Sequence, residues 1–270
     1  MALRSRYWQH LGTEDFAALD ADRAVAIQPV AAIEQHGPHL PLSVDADING
    51  GILDGALARI GEDLPVLVLP AQTVGKSDEH NRFPGTLSIS AETLIRHWND
   101  LGDGVARAGV RRLIFFNSHG GNPPVMDIVA RDLRVRHGML AVTACWWDLV
   151  DLERWFDPEE VRHGIHGGEI ETSMILHLRP DLVDMDKAAD FPSAGQDMGE
   201  GFARLSPTAQ PAFAWEMQDL NPAGAVGNAA AADAERGGQV VEEAARALAE
   251  LVDDVARFDL SRLAVDVPDR

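Results

Sequence analysis

The strongest constraint on how this chain folds is an alternation. Through its first two thirds, apolar runs of strand length are separated by stretches with helical spacing. That pattern is the signature of βα units, which build a parallel sheet with helices packed against it. Residues 24–33 (AVAIQPVAAI) are apolar almost without interruption, as a strand covered on both faces must be. Pro29 within that run predicts an edge position or a bulge, because proline gives the ladder no donor. Helical spacing follows over 46–60, then a strand over 64–69 (LPVLVL), a helix over 90–108 opening at Ser90, and a strand over 113–116 (LIFF). A helix over 123–137 opens on paired prolines and leads to a strand over 139–146 (MLAVTACW). Residues 169–178 read as a helix stopped by Pro180, and 229–258 as a long closing helix with Gly237 and Gly238 as its weak point. Between these two, 181–227 is rich in Asp, Pro, Gly and Gln and lacks periodicity. It is too long for a plain connection and is expected to shape the site or an oligomer contact.

Composition narrows the function classes. The 270 residues are read as one α/β domain spanning 1–270, and 46% apolar with 24% charged content excludes disordered and fibrous classes. A formal charge of −20 opposes a phosphate-backbone partner, so no nucleic acid is expected. The one cysteine, Cys145, allows neither an internal disulfide nor a Cys-rich zinc site, and within an apolar strand it reads as a buried small residue. The first residues lack an apolar stretch of signal-peptide length, and no apolar run approaches the ~20 residues of a membrane span. A cytoplasmic protein with no membrane partner is expected.

A doubly wound α/β fold binds its ligands beyond the carboxyl ends of its strands. There the chain concentrates imidazoles and carboxylates: Glu34-Gln35-His36-Gly37-Pro38-His39 after the first strand, Asp45 where the next helix begins, and Asn117-Ser118-His119-Gly120-Gly121-Asn122 after the third. An extended backbone points Glu34 and His36 to one face. Taken singly, Glu34 is a surface acid, the histidines are satisfied loop residues and Asp45 is a helix cap. Taken together, with glycine and proline flanking each histidine, they read as a site, His39 supporting it structurally.

A third cluster, His166-Gly167-Gly168-Glu169-Ile170-Glu171, opens the 169–178 helix. Either Glu169 or Glu171 can complete a metal site, and spacing does not choose between them; both acids also suit the positive end of a helix dipole. His166, five residues before Glu171, belongs to the preceding loop. Oxygen and nitrogen donors without sulfur suit zinc, manganese or iron. Three carboxylates packed together repel one another unless divalent ions offset them, which makes a two-metal site sharing Asp45 chemically reasonable.

The segments EQHGPHLPLSVDAD, NSHGGN and HGGEIETS, with GKSDEHNRFPGTLS between the first two, resemble the creatininase (creatinine amidohydrolase) family in wording and order. The resemblance covers residues 25–178. It implies a three-layer α/β/α sandwich with a mainly parallel sheet, assembled as a homohexamer. It also implies two divalent ions, zinc first, with manganese or iron as the other candidates. The implied ligands are Glu34, His36, Asp45, His119 and Glu171, with Asp45 bridging, and His166 is the implied general acid/base. Ser77, Glu79 and His80 match the family's second motif and are expected at the substrate entrance.

Trp146 and Trp147 either wall the pocket or pack in the core, Trp146 being counted here as a substrate contact. Asn117 and Asn122 are expected to fix the His119 loop, with Asn122 also reaching substrate to stabilise an oxyanion. Lys76 and Arg82 are the cations near the entrance. Creatininase itself carries tyrosine and glutamate where this chain has Gly120 and Gly121. The Gly-Gly form resembles the wider family, which includes formamide deformylases, a peptidase of peptide-cofactor maturation and sugar-ring hydrolases. The expected activity is hydrolysis of an amide, cyclic amide or formamide C–N bond in a small molecule. The alternatives are ring-opening hydrolysis of a cyclic ketone or sugar derivative, which releases no amine, and ligand binding without turnover.

Overall fold

The computed structural model describes residues 3–208 and 211–263. In chain order the elements are α1 (Thr13–Ala17), β1 (Val25–Val30), α2 (Val44–Leu57), β2 (Val66–Val68), α3 (Ala91–Arg107), β3 (Arg112–Asn117), α4 (Pro123–His137) and β4 (Leu140–Cys145). They continue with α5 (Pro158–His163), α6 (Glu169–Leu178), β5 (Asp190–Phe191), α7 (Ala194–Gly201), α8 (Met217–Leu220), β6 (Gly227–Asn228) and α9 (Ala234–Arg257). Four parallel strands form a sheet in the order β2-β1-β3-β4, and β5 pairs antiparallel with β6.

The period-two alternation of the strands divides the apolar residues between two cores. Val25, Ile27, Val66, Val68, Ile114 and Phe116 face α2, α6 and α9. Ala26, Val30, Leu67, Leu113 and Phe115 face α3 and α4, where Trp98 and Leu133 are fully buried. The result is the expected three-layer α/β/α arrangement. Every residue of β1, β2 and β3 is buried, which is why these strands read as continuous apolar runs.

Two expectations are corrected. Pro29 lies in an inner strand, paired with Phe116 of β3, not at an edge. Its carbonyl accepts from Gln72 N at 2.9 Å, so its missing N–H faces the β2 side, beyond the last β2 residue. Gln28 and Val30 face β3 instead, and no β1–β3 bond is lost. Gly237 and Gly238 are not a weak point: a Cβ on Gly237 would lie 2.0 Å from the Ser173 carbonyl oxygen, so the glycine lets α9 press directly on α6. The 229–258 stretch begins as a 3-10 turn at Ala229–Ala231, and the helix proper is capped by Asp233, whose Oδ1 accepts from Arg236 N at 2.8 Å. The aperiodic 181–227 stretch holds only short elements. Among the described residues, no helix is long and apolar enough to cross a membrane.

Candidate metal centre

The chemistry-bearing residues meet beyond the carboxyl ends of the parallel strands. Glu34, Gln35 and His36 follow β1, Ser118 and His119 follow β3, Asp45 lies in the first turn of α2, and Glu171 in the first turn of α6. Asn49, one turn beyond Asp45, donates through Nδ2 to the carbonyls of Val30 and Phe116 at 3.1 Å each, tying α2 to both strand ends. Ser118 Oγ donates to the Asp45 carbonyl at 2.7 Å.

Glu34, His36, Asp45 and His119 are each at most 2% exposed. One set of donor atoms comes from Glu34, Asp45 and His119, a second from His36, Asp45 and Glu171; within each, the atoms lie within 4.8 Å of one another. Asp45 belongs to both. Its Oδ2 is 3.2 Å from His119 Nδ1, and its Oδ1 is 3.3 Å from His36 Nε2. Glu34 Oε2 lies 3.2 Å from His119 Nδ1, and Glu171 Oε2 lies 3.7 Å from His36 Nε2.

Backbone carbonyls orient both imidazoles. A carbonyl only accepts, so His36 Nδ1 carries a proton toward Glu34 O at 3.0 Å, and His119 Nε2 carries one toward Lys76 O at 2.6 Å. The other nitrogen of each ring then faces the carboxylates. His36 Nε2 and Asp45 Oδ2 are buried without a hydrogen-bond partner. Orphaned buried donors of this kind, in an oxygen and nitrogen set, fit a divalent ion.

The electrostatics follow from this crowding. Burial opposes the charge on Glu34, but His119 outweighs it and holds the carboxyl down at about 2. Asp45 is likewise held at about 2, against burial, by His119 and His36. Burial alone would lower His36, yet Glu171, Asp45 and Glu34 raise it to about 9, and His119 is raised well above its usual value by Glu34 and Asp45. Glu171, desolvated and beside Asp45 and Glu34, is pushed up to about 7 despite His36.

Burial, then His36 and His80, push His166 well below the ordinary histidine range, so it is neutral at pH 7. Its ring stacks between His36 and His80, with centroids 4.0 and 4.2 Å away. Nε2 donates to the Gln35 carbonyl at 2.7 Å, leaving the Nδ1 lone pair free 3.7 Å from Glu34 Oε1. The Gln35 carboxamide donates to His80 Nδ1 at 2.8 Å, which puts the His80 proton on Nε2, 3.5 Å from Glu34 Oε1.

A cavity of about 550 Å³ opens over this cluster. His80 and Trp146 line it, as do Trp147, Ile165 and Ile170, and the 181–227 stretch contributes Pro207, Thr208 and Trp215. Ser77 and Asn122 take other places than the expected substrate contacts. Ser77 is fully buried and donates to Glu34 Oε2. Asn122, also fully buried, accepts from Lys76 N at 3.1 Å and donates to Ala31 O and Asn117 Oδ1. Asn117 in turn donates to His119 O at 2.8 Å and accepts from His119 N at 3.1 Å. The two asparagines therefore clamp the His119 loop, and their polar atoms are engaged there.

Glu169 turns away to pair with Arg236, while Glu171 joins the cluster. His39 bonds Thr172 Oγ1 at 2.9 Å. Burial raises the Cys145 thiol to about 11, which removes it as a nucleophile. Lys76 pairs with Asp78 at 3.2 Å and the outward-facing Arg82 with Glu216 at 3.3 Å; neither lines the cavity.

Glu160 is the functional residue that sequence reasoning missed. Its carboxylate accepts from Glu169 N at 2.7 Å and Asn228 N at 2.9 Å, joining the start of α6 to β6. Any Cβ on Gly164, Gly168 or Gly227 would fall within 2.5 Å of Glu160 Oε1, so the three glycines make the space it fills. The His166 loop runs between them, with Val226 N donating to His166 O at 2.8 Å. The expected result of Glu160→Ala is a loss of about 2 to 5 kcal/mol, because two N–H groups lose their acceptor. Urea unfolding measures it; an unchanged midpoint would show that the clamp contributes nothing.

The Creatininase family model, described as creatinine amidohydrolase, matches residues 9–252. A creatinine amidohydrolase of Pseudomonas putida is 34% identical over 194 residues, covering 66% of this chain and 73% of that protein. A mycofactocin precursor peptide peptidase of Mycobacterium ulcerans (strain Agy99) is 30% identical over 249 residues, covering 90% and 88%. Two solved creatininases, a variant of zinc–zinc type and a manganese form, superpose with TM-scores of 0.73 and 0.74 at 29% and 28% identity. Each alignment covers 93% of this chain and 98% of the solved one.

Proposed function

The chain belongs to the creatininase (creatinine amidohydrolase) family, and on that premise we propose that it hydrolyses an amide-type C–N bond of a small molecule with two divalent ions. Glu34, Asp45 and His119 would hold one ion, and His36, Asp45 and Glu171 the other. The observation that carries this reading is the place of Asp45 in both donor sets, with its Oδ2 and the His36 Nε2 buried and unpartnered. Zinc is the first candidate and manganese or iron the others; the similar solved structures include zinc–zinc and manganese forms. Both relatives bear names that denote cleavage of amide-type bonds, one in creatinine and one in a peptide.

Two divalent ions would more than offset the three carboxylates, supply a water acidic enough to act as nucleophile near neutral pH, and polarise the substrate carbonyl. The remaining work belongs to the chain. His166, neutral and with Nδ1 free, takes the proton of the attacking water and passes it to the leaving nitrogen, a role worth about 10² to 10⁴ in rate. The Gln35 carbonyl holds the ring in the tautomer this needs, and Ser77 and His80 fix the Glu34 carboxylate from two sides. Asn117 and Asn122 keep His119 aimed inward.

Metal content by mass spectrometry after reconstitution, with amine or ammonia release from a panel of amides, tests the reading. Two equivalents with amine release is the expected result. Product without amine would move the activity to ring opening at a carbon–carbon bond. Loading must also expel protons. At pH 7 the metal-free centre carries one on His36, raised to about 9, and one on His119, and Glu171, pushed up to about 7, holds part of another. Calorimetry in buffers of different ionisation enthalpy is expected to show about two to three protons released per chain, with affinity rising as pH rises from 6 to 8. Release of fewer than one would remove the imidazoles from the ligand set.

A further inference from the structure

The charge of the cavity beyond the ligand set points to its substrate, an inference that rests on the amidohydrolase reading. Among the described lining residues there is no lysine or arginine, and Glu79 is the one carboxylate outside the proposed ligands. Its side chain is 17% exposed, and no hydrogen bond from another side chain fixes it among those described. Oε1 lies 3.8 Å from His119 Nε2, whose proton is already directed to the Lys76 carbonyl. Oε2 is 4.0 Å from Lys76 Nζ, but that ammonium sits closer to Asp78, at 3.2 Å; with His119 neutral as a metal ligand, one cation faces two carboxylates and negative charge is left over.

The absence of a side chain at Gly121 keeps this corner open: a Cβ there would fall 2.1 Å from the Lys76 carbonyl oxygen, 2.5 Å from His119 Nε2 and 2.6 Å from Glu79 Oε1. The same cavity has three indoles, Trp146, Trp147 and Trp215, in its lining, with Leu152, Val161, Ile165 and Ile170. Such a surface takes a flat or apolar body, and its indoles also tolerate a cation.

We propose that Glu79 selects the substrate, pairing through its carboxylate with a cationic group carried on an apolar or aromatic amide, and that anionic amides are excluded. A charge-assisted pair in a partly desolvated cleft discriminates strongly against a neutral isostere.

Three probes of one shape test this on the metal-loaded protein: 4-(aminomethyl)benzamide, 4-methylbenzamide and 4-carboxybenzamide. Quenching of indole fluorescence reads binding, and ammonia release is followed in parallel. The wild type is expected to bind the ammonium probe at least about tenfold more tightly than the methyl probe, and the carboxylate probe more weakly than either. In Glu79→Gln the ammonium-to-methyl ratio falls to about one at unchanged metal content, whereas Glu79→Asp keeps a preference. Ammonium and methyl affinities within about threefold of each other in the wild type, no measurable binding of the ammonium probe, or a preference that survives Glu79→Gln would each overturn the assignment. If Glu79→Gln fails to fold, the wild-type ratio and Glu79→Asp still decide. Selectivity without ammonia from any probe leaves Glu79 in place and removes the amidohydrolase reading; ammonia without selectivity does the reverse.

Discussion

Replacing Asp45 by alanine is expected to strip both ions from the centre in one step and to lower turnover by more than about 10³. The reason is geometric. Each Asp45 oxygen faces a different imidazole, Oδ1 toward His36 and Oδ2 toward His119, so each serves one half of the pair. An alanine removes both oxygens at once, whereas an asparagine would keep one oxygen and so one half of the pair. Glu171→Gln removes a donor from one half only and is expected to leave close to one equivalent bound. Mass spectrometry of the two variants beside the wild type separates the cases. Retention of one ion by Asp45→Ala would show that the carboxylate is not shared. The loop itself should persist, since Ser118 holds Asp45 through its backbone carbonyl and not its side chain.

His166→Ala is expected to keep both ions and lose about 10² to 10⁴ in kcat, with partial recovery on adding free imidazole. The variant decides a real ambiguity in the geometry, because Glu34, His36 and His166 also present donor atoms within 4.8 Å of one another. If His166 were a ligand, its removal would lower metal content and added imidazole would restore binding before turnover. If it moves protons, metal content stays fixed and the rate alone responds. Its neutral state and the lock on Nε2 favour the second outcome.

Much of this was readable in the sequence because the fold places its chemistry beside its most legible elements. Glu34, His36 and His119 each follow a buried strand directly, and the 123–137 and 169–178 helices run as their spacing, paired prolines and Pro180 indicate. What was not readable depends on partners distant in sequence. Glu160 belongs to no motif, and its role shows only where Asn228, 68 residues later, donates to it. Ser77 and Asn122 carry groups suited to substrate, and only the folded chain shows those groups turned to Glu34, Ala31 and Asn117. Spacing leaves Glu169 and Glu171 equal; the motif resemblance already favours Glu171, and Arg236 of α9, which draws Glu169 aside, supplies the physical reason. Pro29 misled because a parallel strand can bury a proline wherever its neighbour has already ended.

The volume beside Gly121 is already taken, by the Lys76 carbonyl, the His119 ring and the Glu79 carboxylate together. A side chain at 121 would collide with all three, so it could enter only if the loop carrying residues 76–80 withdrew and the His119 ring shifted. A mouth of this shape accepts an acid from the strand-two loop, and one from the strand-three loop only with that rearrangement. Exchanging one for the other is a single coupled move, and substitutions at 79 and 121 made separately will not add up to the effect of making them together.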